Sequence, residues 1–147
     1  MIAEIAHFCL ILALMTALLL GVTGLISGYR ASVVGWAVCR RAALVMALLI
    51  AASLFGLMAC FTLSDFSVLS VVKHSHTAKP MIYKLAATWG FHEGSMLLWV
   101  LILGIMGALS AAMAQHFPRD EMAYALGIQG LIAAAFLGFV ILTSNPF

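Results

Sequence analysis

Residues 94–114 read GSMLLWVLILGIMGALSAAMA, a run with no ionisable side chain. A helix that crosses a bilayer needs about 20 mostly apolar residues, because the hydrocarbon core is roughly 30 Å thick and each residue rises about 1.5 Å. The run meets that length. Its apolar residues do not alternate with polar ones, as the strands of a membrane barrel would require. Three similar runs occupy about residues 5–27, 42–63 and 122–143. The chain therefore reads as an all-α integral membrane protein with four transmembrane helices.

Composition points the same way. Of 147 residues, 65% are hydrophobic and 8% charged, against about 25% charged in a soluble domain. A water-soluble enzyme, a disordered tail and a nucleic-acid binder are excluded, the last also because a net charge of +2 gives no footprint for a polyanion. Three cysteines without paired spacing give neither a disulfide framework nor a metal site. The first run is not a signal peptide, since Glu4 stands where a basic flank is needed and the run is too long.

The connections differ in kind. Residues 28–41 form a short basic loop with Arg30, Arg40 and Arg41, and residues 115–121 a tight turn with Pro118 and Arg119. Residues 64–93 form a long polar connection with Asp65, Lys73, His74, His76 and Lys79. With four spans, both termini and the long connection share one side. Arg30, Arg40, Arg41 and Arg119 flank the other side, against Lys73, Lys79 and Lys84, so the positive-inside rule puts the long connection outside. Gly24 and Gly28, Gly104 and Ala108, and Gly130, Ala134 and Gly138 recur at the spacing of close helix packing, although small residues are common in membrane helices anyway.

The long connection ends in Tyr83-Lys84-Leu85-Ala86-Ala87-Thr88-Trp89-Gly90-Phe91-His92-Glu93-Gly94-Ser95. Ile82, Leu85, Ala86 and Trp89 fall on one helical face, with Lys84 and Thr88 off it. That pattern suits a short interfacial helix anchored by Tyr83 and Trp89 before the third span. His92 and Glu93 follow, where the third helix enters hydrocarbon. One reading gives the pair contact with a partner, a cofactor or a proton path. The other has Glu93 facing the positive end of the helix dipole, with His92 merely interfacial. Both stay open on composition.

Ser64-Asp65-Phe66-Ser67-Val68, Tyr83-Lys84, Trp89-Gly90, His92-Glu93-Gly94-Ser95 and Leu97-Leu98-Trp99 resemble, in order and spacing, the N-terminal part of the CcmF family. That family provides the large membrane subunit of a cytochrome c haem lyase. Glu4-Ile5 with His7-Phe8 near the start, and Thr143-Ser144-Asn145-Pro146-Phe147, are similar to it as well. Ala3 and Ala6 replace the Pro and Gly usual there. His74 and His76 fall where relatives are richer in Asn and Ser, which puts any role for them in doubt.

The resemblance implies the N-terminal portion of a larger polytopic bundle, from a split gene or a truncation, in a bacterial or mitochondrial inner membrane. It implies haem for the complete assembly and none held stably by this segment. It also implies a set of partners: the remaining helices or a split partner chain, other maturation subunits, a haem chaperone and apocytochrome c. Nucleic acid is not among them. Trp89, Gly90, His92, Glu93, Gly94 and Ser95 are the candidate functional residues. His7 and His92 are the candidates for a bis-His haem site, with local hydrogen bonding as the plainer reading. His116 reads as a helix-end residue. Cys9 and Cys60 are either a pair in an oxidising outer compartment or two buried thiols, and Cys39 beside Arg40 and Arg41 is expected to be acidified. No catalytic constellation is recognisable, so the enzyme question stays open. Two other classes compete: a proton-coupled four-helix transporter using Glu93, and an accessory subunit of a respiratory complex. A related haem lyase for nitrite reductase maturation shares such segments.

Overall fold

A computed structural model describes residues 1–76, 79–114 and 117–147. Among the described residues six helices follow one another: α1 (Ile2–Arg30), α2 (Val33–Leu63), α3 (Leu69–His74), α4 (Met81–Gly90), α5 (His92–Met113) and α6 (Arg119–Leu142). Four of them, α1, α2, α5 and α6, are long and apolar enough to cross a membrane. They run up and down around a closed ring in the order α1, α2, α5, α6, with α1 and α5 at opposite corners. The ends carrying both termini, α3 and α4 share one side.

The first connection corrects the expected basic loop. Only Ala31 and Ser32 separate α1 from α2, so Arg30, Arg40 and Arg41 lie on helices. Ala31 takes the left-handed conformation (φ 47°) that ends α1, and Ser32 Oγ accepts from the Gly35 amide at 3.2 Å to start α2. Nothing between Val33 and Arg41 breaks a helix. At 31 residues α2 extends about 46 Å, which exceeds the hydrocarbon core and leaves its first turns at headgroup depth. The sequence placed that polar end outside the span; the backbone remains helical there because leaving lipid does not require leaving the helix.

Glycines set the α1–α6 seam. A Cβ on Gly127 would lie 2.8 Å from the Leu25 amide nitrogen, and one on Gly130 2.8 Å from that of Gly21. Gly24 meets Gly127 backbone, and Gly28 meets the Tyr124 ring. Gly24, Gly28 and Gly130 thus pack as their spacing suggests, whereas Gly138 has no neighbour there. Each step of four residues turns about 40° past a full revolution, so the third member of that series has rotated out of the seam. At the neighbouring α5–α6 seam, Gln129 Nε2 on α6 donates to the Leu103 carbonyl on α5 at 2.5 Å. Gly107 makes that room, since a Cβ on it would sit 2.7 Å from the same nitrogen.

The long connection is more structured than expected. Ser64 ends α2 with a positive φ of 54°. Asp65 then accepts from the amide and hydroxyl of Ser67 at 3.1 and 2.6 Å, an Asx turn that leads into α3. No sequence periodicity announces α3, because its six residues are too few to show one. Tertiary contact holds it: Val71 is fully buried, and Ser70 Oγ donates to the Pro146 carbonyl at 2.7 Å.

Candidate functional site

Helix α4 folds back against α5 through one extended residue, Phe91 (φ −117°, ψ 163°). Its side chain is a peg. The ring is 7% exposed and stacks on Phe61 of α2 (5.7 Å, 28°) and on His74 of α3 (4.7 Å, 14°). One aromatic side chain therefore joins three elements around the bend. His74 Nδ1 lies 3.1 Å from the Ser70 carbonyl, which can only accept, so Nδ1 is the donor of this bond.

Gly94 is the tightest point of the bend. The Thr88 carbonyl occupies the place where a Cβ on residue 94 would go, so any other residue there forces α4 and α5 apart. Gly90 meets no such limit, since a Cβ on it would touch nothing and its φ is not positive. Ser95 closes the first turn of α5, with its amide donating to Phe91 O at 3.0 Å and its hydroxyl to His92 O at 2.8 Å.

The face of α4 turned to the protein is its polar one. Lys84 is 9% exposed and Thr88 fully buried, while Met81, Ile82, Tyr83 and Trp89 point outward. Lys84 Nζ donates to Ser64 Oγ at 2.6 Å. Ser64 caps the C-terminus of α2, the negative end of a long helix dipole, and the ammonium is stabilised there. An apolar exterior over a polar interior is the inverse of a helix that faces water, and it suits one whose outer surface meets lipid. Thr88 Oγ1 and Ser75 Oγ are buried without a partner among the described residues.

The charged candidates sit at the lip. His92 is exposed and Glu93 half-buried in the first turn of α5. Among the described residues neither side chain has a hydrogen-bond or ion-pair partner. His7 is elsewhere: its Nδ1 lies 3.4 Å from Asn145 Nδ2, its ring meets Phe147 edge-on at 6.0 Å, and it lines an open cleft of about 600 Å³ that His92 does not reach. Among the described residues His7 and His92 are not brought together, and no facing imidazoles fit a bis-His haem. No three His, Cys, Asp or Glu side chains converge among them either. His116 lies outside the described residues.

The cysteines are free thiols. Cys39 faces into the bundle, 3.6 Å from Thr23 Oγ1 and 4.0 Å from Ser27 Oγ of α1, on the opposite face from the exposed Arg40 and Arg41. Neighbours in sequence are thus on different sides of the helix. The sequence reading missed Phe91, Lys84 and His74 as parts of the bend. Phe91 was quoted only as a spacer, and Lys84 was placed off the apolar face and counted among the charges of the outer connection, with no partner in the fold.

Over 148 residues the chain is 50% identical to the cytochrome c-type biogenesis protein ccl1 of Rhodobacter capsulatus, in an alignment covering 100% of this chain and 22% of that protein. It is 40% identical over 147 residues to the cytochrome c-type biogenesis protein CcmF of Escherichia coli, covering 100% of this chain and 23% of that one. The chain belongs to the CcmF family. A solved structure titled cytochrome c heme lyase CcmF matches its fold with a TM-score of 0.93, over 100% of this chain and 25% of the other, at 22% identity. No family model matches the chain. It spans less than a quarter of the length of these CcmF-family relatives.

Proposed function

We propose that this chain acts in cytochrome c maturation as the N-terminal membrane portion of a CcmF-like haem lyase subunit, contributing structure and a docking surface. The alignment of its whole length with cytochrome c biogenesis proteins carries the reading. In the complete assembly, haem comes from a membrane-tethered haem chaperone and is attached to the thiols of apocytochrome c on the outer face of a bacterial or mitochondrial inner membrane. This segment packs against the remaining helices and offers α3, α4 and the start of α5 to the other maturation subunits.

Charge supports the orientation. Arg30, Arg40, Arg41 and Arg119 all lie at the end with the short connections. Lys84 is withdrawn into the fold, which leaves Lys73 and Lys79 at the other end. The positive-inside margin is therefore wider than a count of loop residues gives, and the bend faces outward.

His92 and Glu93 are the contact residues, with Trp89, Gly94 and Ser95 holding them at the lip. Among the described residues neither side chain has a partner, so both are free to meet another subunit at the membrane mouth. The test is His92→Ala and Glu93→Ala in the reconstituted assembly, read as cytochrome c yield at equal protein level. Loss of yield is expected, and an unchanged yield contradicts the assignment. The proton-coupled transporter reading is weaker, since Glu93 stands in the first turn of α5 rather than deep in the bundle.

A further inference from the structure

At the end of the bundle opposite the bend, Arg40 of α2 and Arg119 of α6 line one cleft of about 240 Å³, with Trp36 and Phe117 beside them and alanines near the end of α5 as its floor. A shallower groove continues along α2 past Trp36, Arg41 and Leu44. Among the described residues no carboxylate lies within ion-pair distance of Arg40, Arg41 or Arg119, although Asp120 and Glu121 follow on the first turn of α6. The Trp36 indole N–H has no hydrogen-bond partner among the described residues either.

The two arginines and Trp36 line this cleft at a particular depth. Arg40 is about 10 Å along α2 from its first residue, in the part of that helix that outruns the hydrocarbon core, and Arg119 opens α6. Two planar guanidiniums suit a group with several anionic oxygens. A tryptophan belongs at the same headgroup level, and the groove beyond is walled by Trp36 and Leu44. A headgroup phosphate with an acyl chain running along an apolar wall has this shape, and basic pockets between membrane helices recognise such headgroups.

We infer that the Arg40–Arg119 cleft seats the phosphodiester of an anionic phospholipid, with one acyl chain along the Trp36–Leu44 groove. A zwitterionic lipid brings its own cation against the two arginines and is disfavoured. Native mass spectrometry of the chain released from detergent with equimolar phosphatidylglycerol and phosphatidylcholine tests this. About tenfold preferential retention of phosphatidylglycerol is expected. It should fall to the phosphatidylcholine level in the Arg40→Gln/Arg119→Gln pair and persist in Arg30→Gln, since Arg30 does not line the cleft. The Arg40→Lys/Arg119→Lys pair keeps the charge without the fork, and about a threefold loss is expected. Millimolar inorganic phosphate should leave the lipid adduct in place. No preference in the parent chain, equal retention in all variants, or displacement by inorganic phosphate would each overturn the assignment.

Discussion

Lys84 Nζ donates a 2.6 Å hydrogen bond to Ser64 Oγ, tying the middle of α4 to the last cap of α2. This bond turns the polar face of α4 inward and presents its apolar face to the surroundings. A hydrogen bond to a charged group contributes about 1.5–3 kcal/mol. Lys84→Ala is expected to loosen α4 by that order. Hydrogen exchange checks it: amides of α4 should exchange at least about tenfold faster, with α1 and α6 unchanged. Uniform exchange across the chain would show that α4 is held by something else.

The two glycines of the bend should behave oppositely. Gly94→Ala drives a Cβ into the Thr88 carbonyl, and overpacking of this kind costs about 1–3 kcal/mol. Gly90→Ala meets open space at the end of a helix and should be neutral or stabilising by up to about 1 kcal/mol. Thermal unfolding in detergent separates them, with a lower Tm for the first and an equal or higher Tm for the second.

A similar contrast marks the α1–α6 seam. Gly24→Val puts bulk against the Gly127 backbone, while Gly138→Val faces nothing. The first should lower Tm, and the second should leave the unfolding free energy within about 0.5 kcal/mol of the parent. Equal effects would mean that α1 and α6 do not approach as closely as described.

Asp65 supplies a pH-dependent element outside the spans. Hydrogen bonds from the Ser67 hydroxyl and amide hold its carboxyl below the usual carboxylate range. The folded value is thus lower than the unfolded one, so the turn is favoured above the ordinary carboxylate pKa and weakens as pH falls through the lowered value. NMR titration of the Asp65 carboxyl should show a depressed midpoint, and Ser67→Ala should move it back up.

The four spans were legible because each is an uninterrupted apolar run, and Gly24, Gly28 and Gly130 because packing spacing is local. The bend was only half legible. Trp89 through Ser95 stood out as a polar interruption, but what holds it lies in Ser64, Phe61 and His74, residues brought there by α2 and α3. Contacts that far apart in sequence leave no periodic trace. The start of α2 was misjudged for another reason, since hydropathy marks where lipid ends and not where hydrogen-bonded helix ends. His7 and His92 were candidates for a shared haem because both lie at outer helix mouths, with local hydrogen bonding the plainer reading, and α1 and α5 occupy opposite corners of the ring.

In the proposed topology, four membrane crossings leave the α4–α5 bend at the outer face. In a chain with its cysteines replaced, His92→Cys and Phe117→Cys are introduced singly and exposed to a membrane-impermeant maleimide in sealed, right-side-out vesicles. Labelling is expected at position 92 at once, and at position 117 only after the vesicles are opened. Labelling at position 117 first, or at both positions from the same side, would contradict it.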